Sequence, residues 1–252
     1  MTRKALVIGN GESRAWFNPS QQTIEDEDVT TYGCNAIYRD GNVDILVSVD
    51  YAMQQEIYDS DYAGLCYFSN WCPIPATIAD MMFVGYDIPE DFIHYSKDKT
   101  EECVVSGKDP ATIQEGIAAV LRAKPNIDLP DLKTKLEMDV GVWITYVKPE
   151  DKVESIDYPV GWSAGNTALH LACQHKAEKI YILGFDLSSY GSSINNIYKG
   201  TKNYLPADSK GFNSVNWENQ LETVIKEFPN IEFVVVGKHI TNEELCKELK
   251  IL

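Results

Sequence analysis

The apolar run Ala5-Leu6-Val7-Ile8 passes directly into Gly9-Asn10-Gly11-Glu12-Ser13. A short run with every position apolar is the pattern of a strand covered on both faces. The predicted strand is Lys4 to Ile8, and the pattern recurs. Val29 to Cys34 is a second predicted strand. Val43 to Val49 is a third, ending at Asp50-Tyr51, and Gly64 to Phe68 a fourth, ending at Ser69-Asn70. Each run finishes in polar or glycine residues. In open parallel sheets, ligands sit where the carboxyl ends of strands release such loops.

The centre of the chain is irregular. Prolines crowd positions 70–150. One helix is predicted there, with Asp109 as cap, Pro110 in its first turn, and Ile113, Ile117, Val120 and Leu121 on one face. Val142 to Val147 reads as a strand. The last third is regular again. Ser163 opens a helix to about Lys176, with Ala168, Leu169, Ala172 and Cys173 inward. Lys179 to Leu183 is a strand ending in Gly184-Phe185-Asp186. A helix follows with Trp217, Leu221, Val224, Ile225 and Phe228 on one face, then a strand from Ile231 to Val236. Thr241 and Glu244 form a capping box for a terminal helix. Alternating strands and helices imply an α/β chain with a mainly parallel sheet and helices on both faces. The expected organisation is one nucleotide-binding domain over 1–252, with 70–160 as a lid or insertion.

Charge narrows the partners. Lys+Arg 22 against Asp+Glu 38 leaves a formal charge of −16. A nucleic-acid polymer and an anionic membrane surface are both disfavoured. A small anionic nucleotide is not, because backbone amides can hold a phosphate without Lys or Arg. No run approaches the roughly 20 apolar residues of a spanning helix, so no membrane insertion and a cytoplasmic location are expected. The cysteines, in no C-x-x-C pair, read as reduced, with a Cys66–Cys72 disulfide as the alternative. A homo-oligomer remains open.

Three constellations can carry chemistry. In Gly9-Asn10-Gly11-Glu12-Ser13, the glycines let a phosphate approach backbone N–H groups, Ser13 adds a hydroxyl, and a following helix would favour an anion. Arg14 stands where the third glycine of a dinucleotide fingerprint would fall, so a tight turn is the structural alternative. Gly11→Val is expected to abolish nucleotide binding while leaving the fold. Asn35 and Asp50 end the second and third strands. Asn35 can bond phosphate, base or ribose, or its own turn. Asp50 can bind hydroxyls or a metal, or cap the next helix. Ser163 and Gly165 open a helix beside Asp186, with Ser163 read first as an N-cap. Asp50, Asp186 and Asp208 are the carboxylates available for base or metal duty, and His239 follows the last strand.

Val7-Ile8-Gly9-Asn10-Gly11-Glu12-Ser13, Cys34-Asn35-Ala36-Ile37-Tyr38, Ser163-Ala164-Gly165, Lys179 to Asp186 and Gly191-Ser192-Ser193, in that order, resemble the bacterial lipooligosaccharide sialyltransferases. The wider superfamily includes motility accessory factors and archaeal-type 6-hydroxymethylpterin diphosphokinases. The resemblance implies a Rossmann-like, single-sheet glycosyltransferase fold using a CMP-sugar donor without metal, and a glycan acceptor. It implies that Asn10 and the Gly11–Ser13 backbone hold donor phosphate, that Asn35 contacts the nucleotide, that Ser163 and Gly165 line the pocket, and that Asp186 faces the ribose or base. The chain departs from the family at three places. Asp50 replaces a strand-end asparagine. The family's phosphate-binding tyrosines fall near Ser188 and Ile194. Its catalytic histidine falls near Phe212-Asn213, and no histidine lies between His175 and His239. Asp186, Asp208 and His239 are the candidate catalytic groups in its place. The alternatives are metal-dependent pyrophosphoryl transfer, with Asp50 and Asp186 sharing a divalent ion, and a non-catalytic nucleotide- or glycan-binding protein.

Overall fold

A computed structural model describes residues 2–60, 62–69, 71–75, 102–106, 143–146, 153–156, 160–161, 163–187, 193–211 and 213–252. Its strands are β1 (Lys4–Ile8), β2 (Val29–Cys34), β3 (Ile45–Ser48), β4 (Leu65–Phe68), β5 (Trp71–Pro75), β6 (Glu102–Ser106), β7 (Trp143–Tyr146), β8 (Val153–Ser155), β9 (Lys179–Leu183) and β10 (Glu232–Val235). Its α-helices are α1 (Tyr51–Asp59), α2 (Ala164–Gln174), α3 (Val215–Glu227) and α4 (Asn242–Leu249).

Seven strands form one sheet in the order β10-β9-β1-β2-β3-β4-β8. Pairing from β10 through β3 is parallel, with Ile8 opposite both Gly33 and Leu183. This is an α/β Rossmann-like fold. Ala5 to Ile8 are each 0% exposed, and Ile180 to Leu183 at most 1%. Successive strand side chains point to opposite faces, so both faces of the sheet centre are covered. Helix α2 packs on β1, β2 and β3, burying Ala168, Leu169, Ala172 and Cys173 as its spacing predicts.

The chain divides into two compact units, Met1–Tyr67 with Tyr158–Leu252, and Phe68–Asp157. Within the second, β5, β6 and β7 form a separate antiparallel sheet. The expected strand at Val142 to Val147 is β7. The helix expected from Asp109 and Pro110 lies outside the described residues.

Three local expectations change. β3 starts at Ile45, not Val43, because the Asp44 carboxylate accepts the Thr31 N–H at 2.8 Å and its hydroxyl at 2.7 Å, replacing a ladder bond there. The Gly9–Ser13 loop leads into one 3-10 turn, Glu12–Arg14, rather than an α-helix. Asn18-Pro19 lies just beyond, and a residue before proline disfavours helical backbone. On α3, only Val224 is buried; Trp217, Leu221, Ile225 and Phe228 are half-buried. Cys66 is buried and forms no disulfide, so the Cys66–Cys72 alternative is not realised. Among the described residues, no helix is long and apolar enough to cross a membrane.

Candidate functional site

From β1 the chain steps outward through β2, β3 and β4, then returns to place β9 and β10 on the other side of β1. The reversal falls between β1 and β9, and the crevice at such a point is where open α/β sheets bind ligands. Gly9-Asn10-Gly11 and Gly184-Phe185-Asp186 leave the sheet there.

These two loops hold each other closely. The Gly9 N–H donates to Leu183 O at 2.7 Å and the Gly11 N–H to Gly184 O at 2.9 Å. A Cβ at position 9 would stand 2.5 Å from the Gly184 carbonyl oxygen. At position 11 it would stand 2.5 Å from Asp186 Cγ and 2.7 Å from that same carbonyl. Both glycines are therefore required for the strand ends to approach, so a valine at position 11 disrupts the loop pair itself. The expectation that Gly11→Val leaves the fold is corrected accordingly.

The loop already carries an anion. The Ser13 N–H donates to Asp186 Oδ2 at 2.7 Å, and the Ser13 hydroxyl donates to Asp186 Oδ1. The Glu12 N–H donates to Asn195 Oδ1 at 2.8 Å. The N–H groups of Gly9, Gly11, Glu12 and Ser13 are thus all engaged within the chain. The Phe185 ring lies against Gly9 and Gly165. A Cβ at Gly9 would meet it at 2.9 Å, and one at Gly165 at 3.0 Å. Gly165 makes room for this ring.

One strand over, Asn10 Nδ2 donates to Cys34 O at 3.3 Å and to the Tyr204 hydroxyl oxygen at 3.2 Å, while its buried Oδ1 has no partner. The same Tyr204 oxygen accepts the Ala36 N–H at 3.4 Å. Burial pushes the Tyr204 hydroxyl well above its ordinary pKa and the Cys34 thiol up to about 12, so both stay neutral. Asn35 sits in the left-handed region at φ 51°, and its Oδ1 accepts from the buried Ser48 hydroxyl at 3.1 Å. Burial raises the Asp50 carboxyl above its ordinary pKa, with the neighbouring Asn35 side chain opposing the shift. Asp50 occupies the N-cap position of α1, yet its side chain makes no cap hydrogen bond. The capping alternative for Asp50 is therefore not realised.

The remaining sequence-predicted residues fall elsewhere. Ser163 is the N-cap of α2, with its Oγ accepting the Asn166 N–H at 3.0 Å. Asp208 is exposed in the segment after Tyr204. His239 is exposed, and its Nδ1 accepts the Val235 N–H at 3.0 Å, closing the turn after β10. His170 faces Glu227 and His175 faces Tyr32. Asp50 and Asp186 end strands with β1 and β2 between them, so three inter-strand spacings, about 14 Å, separate their strands. Among the described residues, no group of three or more His, Cys, Asp or Glu could hold a metal.

Two contributors were not marked as such by the sequence. Arg14, 1% exposed, sends Nε to Gly9 O at 2.7 Å, Nη1 to Asp40 at 3.2 Å and Nη2 to the Tyr198 hydroxyl at 2.6 Å. It clamps the back of the loop from the missing third-glycine position, a departure visible in the sequence without its role. Phe185 fills the crevice from inside the Gly184-Phe185-Asp186 loop, and nothing in the sequence signals that. Compared with known proteins, the chain matches no family model, no curated protein and no solved structure.

Proposed function

We propose that this protein is a nucleotide-sugar-dependent glycosyltransferase of the sialyltransferase-like type, taking its donor along the carboxyl edge of the sheet from the β1–β9 crevice towards β3. The observation that supports it most is a coincidence of place. The reversal of strand order falls between β1 and β9, and the Gly9–Ser13 and Gly184–Asp186 motifs leave the sheet at that point. Asn10, Asn35 and Asp50 continue the same edge. The donor phosphate would take the Ser13 N–H and hydroxyl in exchange for the Asp186 carboxylate. A phosphate matches that double donor as well as a carboxylate does.

A thermal-shift screen with CMP, CMP-sugars, UDP-sugars and ATP, with and without magnesium, tests the reading. Stabilisation by CMP or a CMP-sugar without metal is the expected result, and no response to any nucleotide would sink it. A second reading, a nucleotide- or glycan-binding protein without catalysis, draws support from the self-engaged loop donors. Donor hydrolysis separates the two, because a binding protein gives none.

A further inference from the structure

The chain from Asn195 to Tyr204 contains no helix or strand, yet it grips the Gly9–Ser13 loop at several points. The Glu12 N–H donates to Asn195 Oδ1 at 2.8 Å. The Ile197 N–H donates to the Asn10 carbonyl oxygen at 2.9 Å, and Asn10 Nδ2 donates to the Tyr204 hydroxyl oxygen at 3.2 Å. Lys199 pairs with the Glu12 carboxylate. Just behind the loop, the Tyr198 hydroxyl accepts from Arg14 at 2.6 Å and donates to Asp40 at 2.5 Å. We propose that this segment is a strap shut over the loop, and that Arg39 and Glu56 form the latch that holds it. This rests on the reading of the loop as the site of the donor phosphate.

The latch stands on α1 and on the 3-10 turn Asn35–Arg39 that follows β2. Glu56, 9% exposed, is its centre. Its carboxylate accepts from the Tyr38 hydroxyl at 2.6 Å and from Arg39 Nε at 2.9 Å. From the strap it accepts Asn203 Nδ2 at 2.7 Å, and Asn203 also donates to the Ala52 carbonyl at 3.3 Å. Arg39, oriented by Glu56, reaches the strap in turn. It donates to Thr201 Oγ1 at 2.7 Å and to the Lys202 carbonyl at 3.0 Å. Its guanidinium lies 5.9 Å from the ring centres of both Tyr198 and Tyr204, within the range of a cation–π contact. One ion pair thus ties α1 to four residues of the strap, and Asn203 ties a fifth.

Three features make this segment a strap rather than a fixed part of the core. Its base is closed by the bridge between Ser193 and Lys210 and by the Ile194 N–H to Ser209 O bond at 2.9 Å. A loop joined at its ends lifts without disturbing the chain on either side. Its grip on the loop and on the latch is chiefly through side chains, whose hydrogen bonds water replaces when they part. The shut state is also incomplete. Asn10, held between Ile197, Tyr204 and Cys34, keeps its buried Oδ1 without a partner, and an unmet buried acceptor costs free energy. Burial of Ile194 and Tyr198 favours the shut state against that cost. The strap and a ligand compete for the same donors. Lifting it releases the Glu12 N–H and one Asn10 amide N–H, the kind of groups that cradle a phosphate.

The test uses the full chain, with two variants that open the latch from opposite sides. Arg39→Met removes the guanidinium and keeps the stem. Asn203→Gly acts on the strap alone, at a residue with φ 62° where glycine adds no strain, and serves if Arg39→Met fails to fold. Amide hydrogen exchange at Ile197 and Glu12 is expected to quicken about tenfold in each, while Val7 in β1 keeps its wild-type rate. CMP affinity by isothermal titration is expected to rise by about the same factor, because apparent affinity follows the fraction of open molecules. Wild-type exchange at Ile197 and Glu12 in the folded variants overturns the latch, and is read without any ligand. Faster exchange with unchanged or weaker CMP binding overturns the competition between strap and ligand. Silence of wild type and variants towards every nucleotide of the screen overturns the donor-site reading and the strap's role together.

Discussion

At the residue scale, Asp186 behaves as an anion built into the protein. Two charge-assisted hydrogen bonds from Ser13 hold it where a phosphate would sit, and such bonds are each worth about 1.5–3 kcal/mol net. A ligand phosphate must compete with them, so free energy is lost from binding at this step. Asp186→Ala leaves the Ser13 donors free and is expected to raise CMP affinity about tenfold, equivalent to about 1.4 kcal/mol, by isothermal titration. A lower affinity would instead make Asp186 a direct contact to the ligand. Arg14 illustrates the opposite case. A buried guanidinium shared by the Gly9 carbonyl, Asp40 and Tyr198 belongs to the architecture of the loop rather than to its ligand. The same residue read in sequence is only a gap in a glycine pattern.

At the element scale, the parts with a repeating pattern were legible and the loop conformations were not. β1, β2 and β9 occupy the predicted residues, because fully buried strands need unbroken apolar runs. The capping box of α4 forms as Thr241 and Glu244 imply. Ser163 caps α2 through one hydrogen bond to the Asn166 N–H, so Ser163→Ala is expected to cost about 1 kcal/mol in urea denaturation. A loss near zero would show that the first turn of α2 is held by packing alone. The 3-10 turn after the glycine loop and the half-exposed face of α3 depend on what lies against them, and no local pattern carries that information.

Across the whole molecule, acid lability follows from paired carboxylates. The hydrogen bond from Lys4, at 2.7 Å, holds Asp26 below its ordinary pKa. The Tyr181 hydroxyl does the same for Glu248, with Lys179 adding to it. A depressed carboxylate contributes stability that is complete above its unfolded pKa, about 4, and is lost as pH falls through the lowered folded value. The melting temperature is therefore expected to fall below about pH 4. Lys4→Met is expected to soften that acid limb, while leaving the fold in place at pH 7. An acid limb identical in the variant would show that Asp26 gains nothing from Lys4.

What the sequence determined alone was the sheet's composition and the location of its functional edge. Apolar runs ending in Gly9, Asn35, Asp50 and Gly184 follow from burial on two faces and release at one end, and both are one-dimensional signals. Only the tertiary structure decided what those ends do. Asp186 turned towards Ser13, Phe185 took the space beside Gly9 and Gly165, and Asp50 left its helix uncapped. The first two are contacts between residues far apart in sequence or on neighbouring strands. Strand order and side-chain packing set such contacts, and neither is written in any local run of residues.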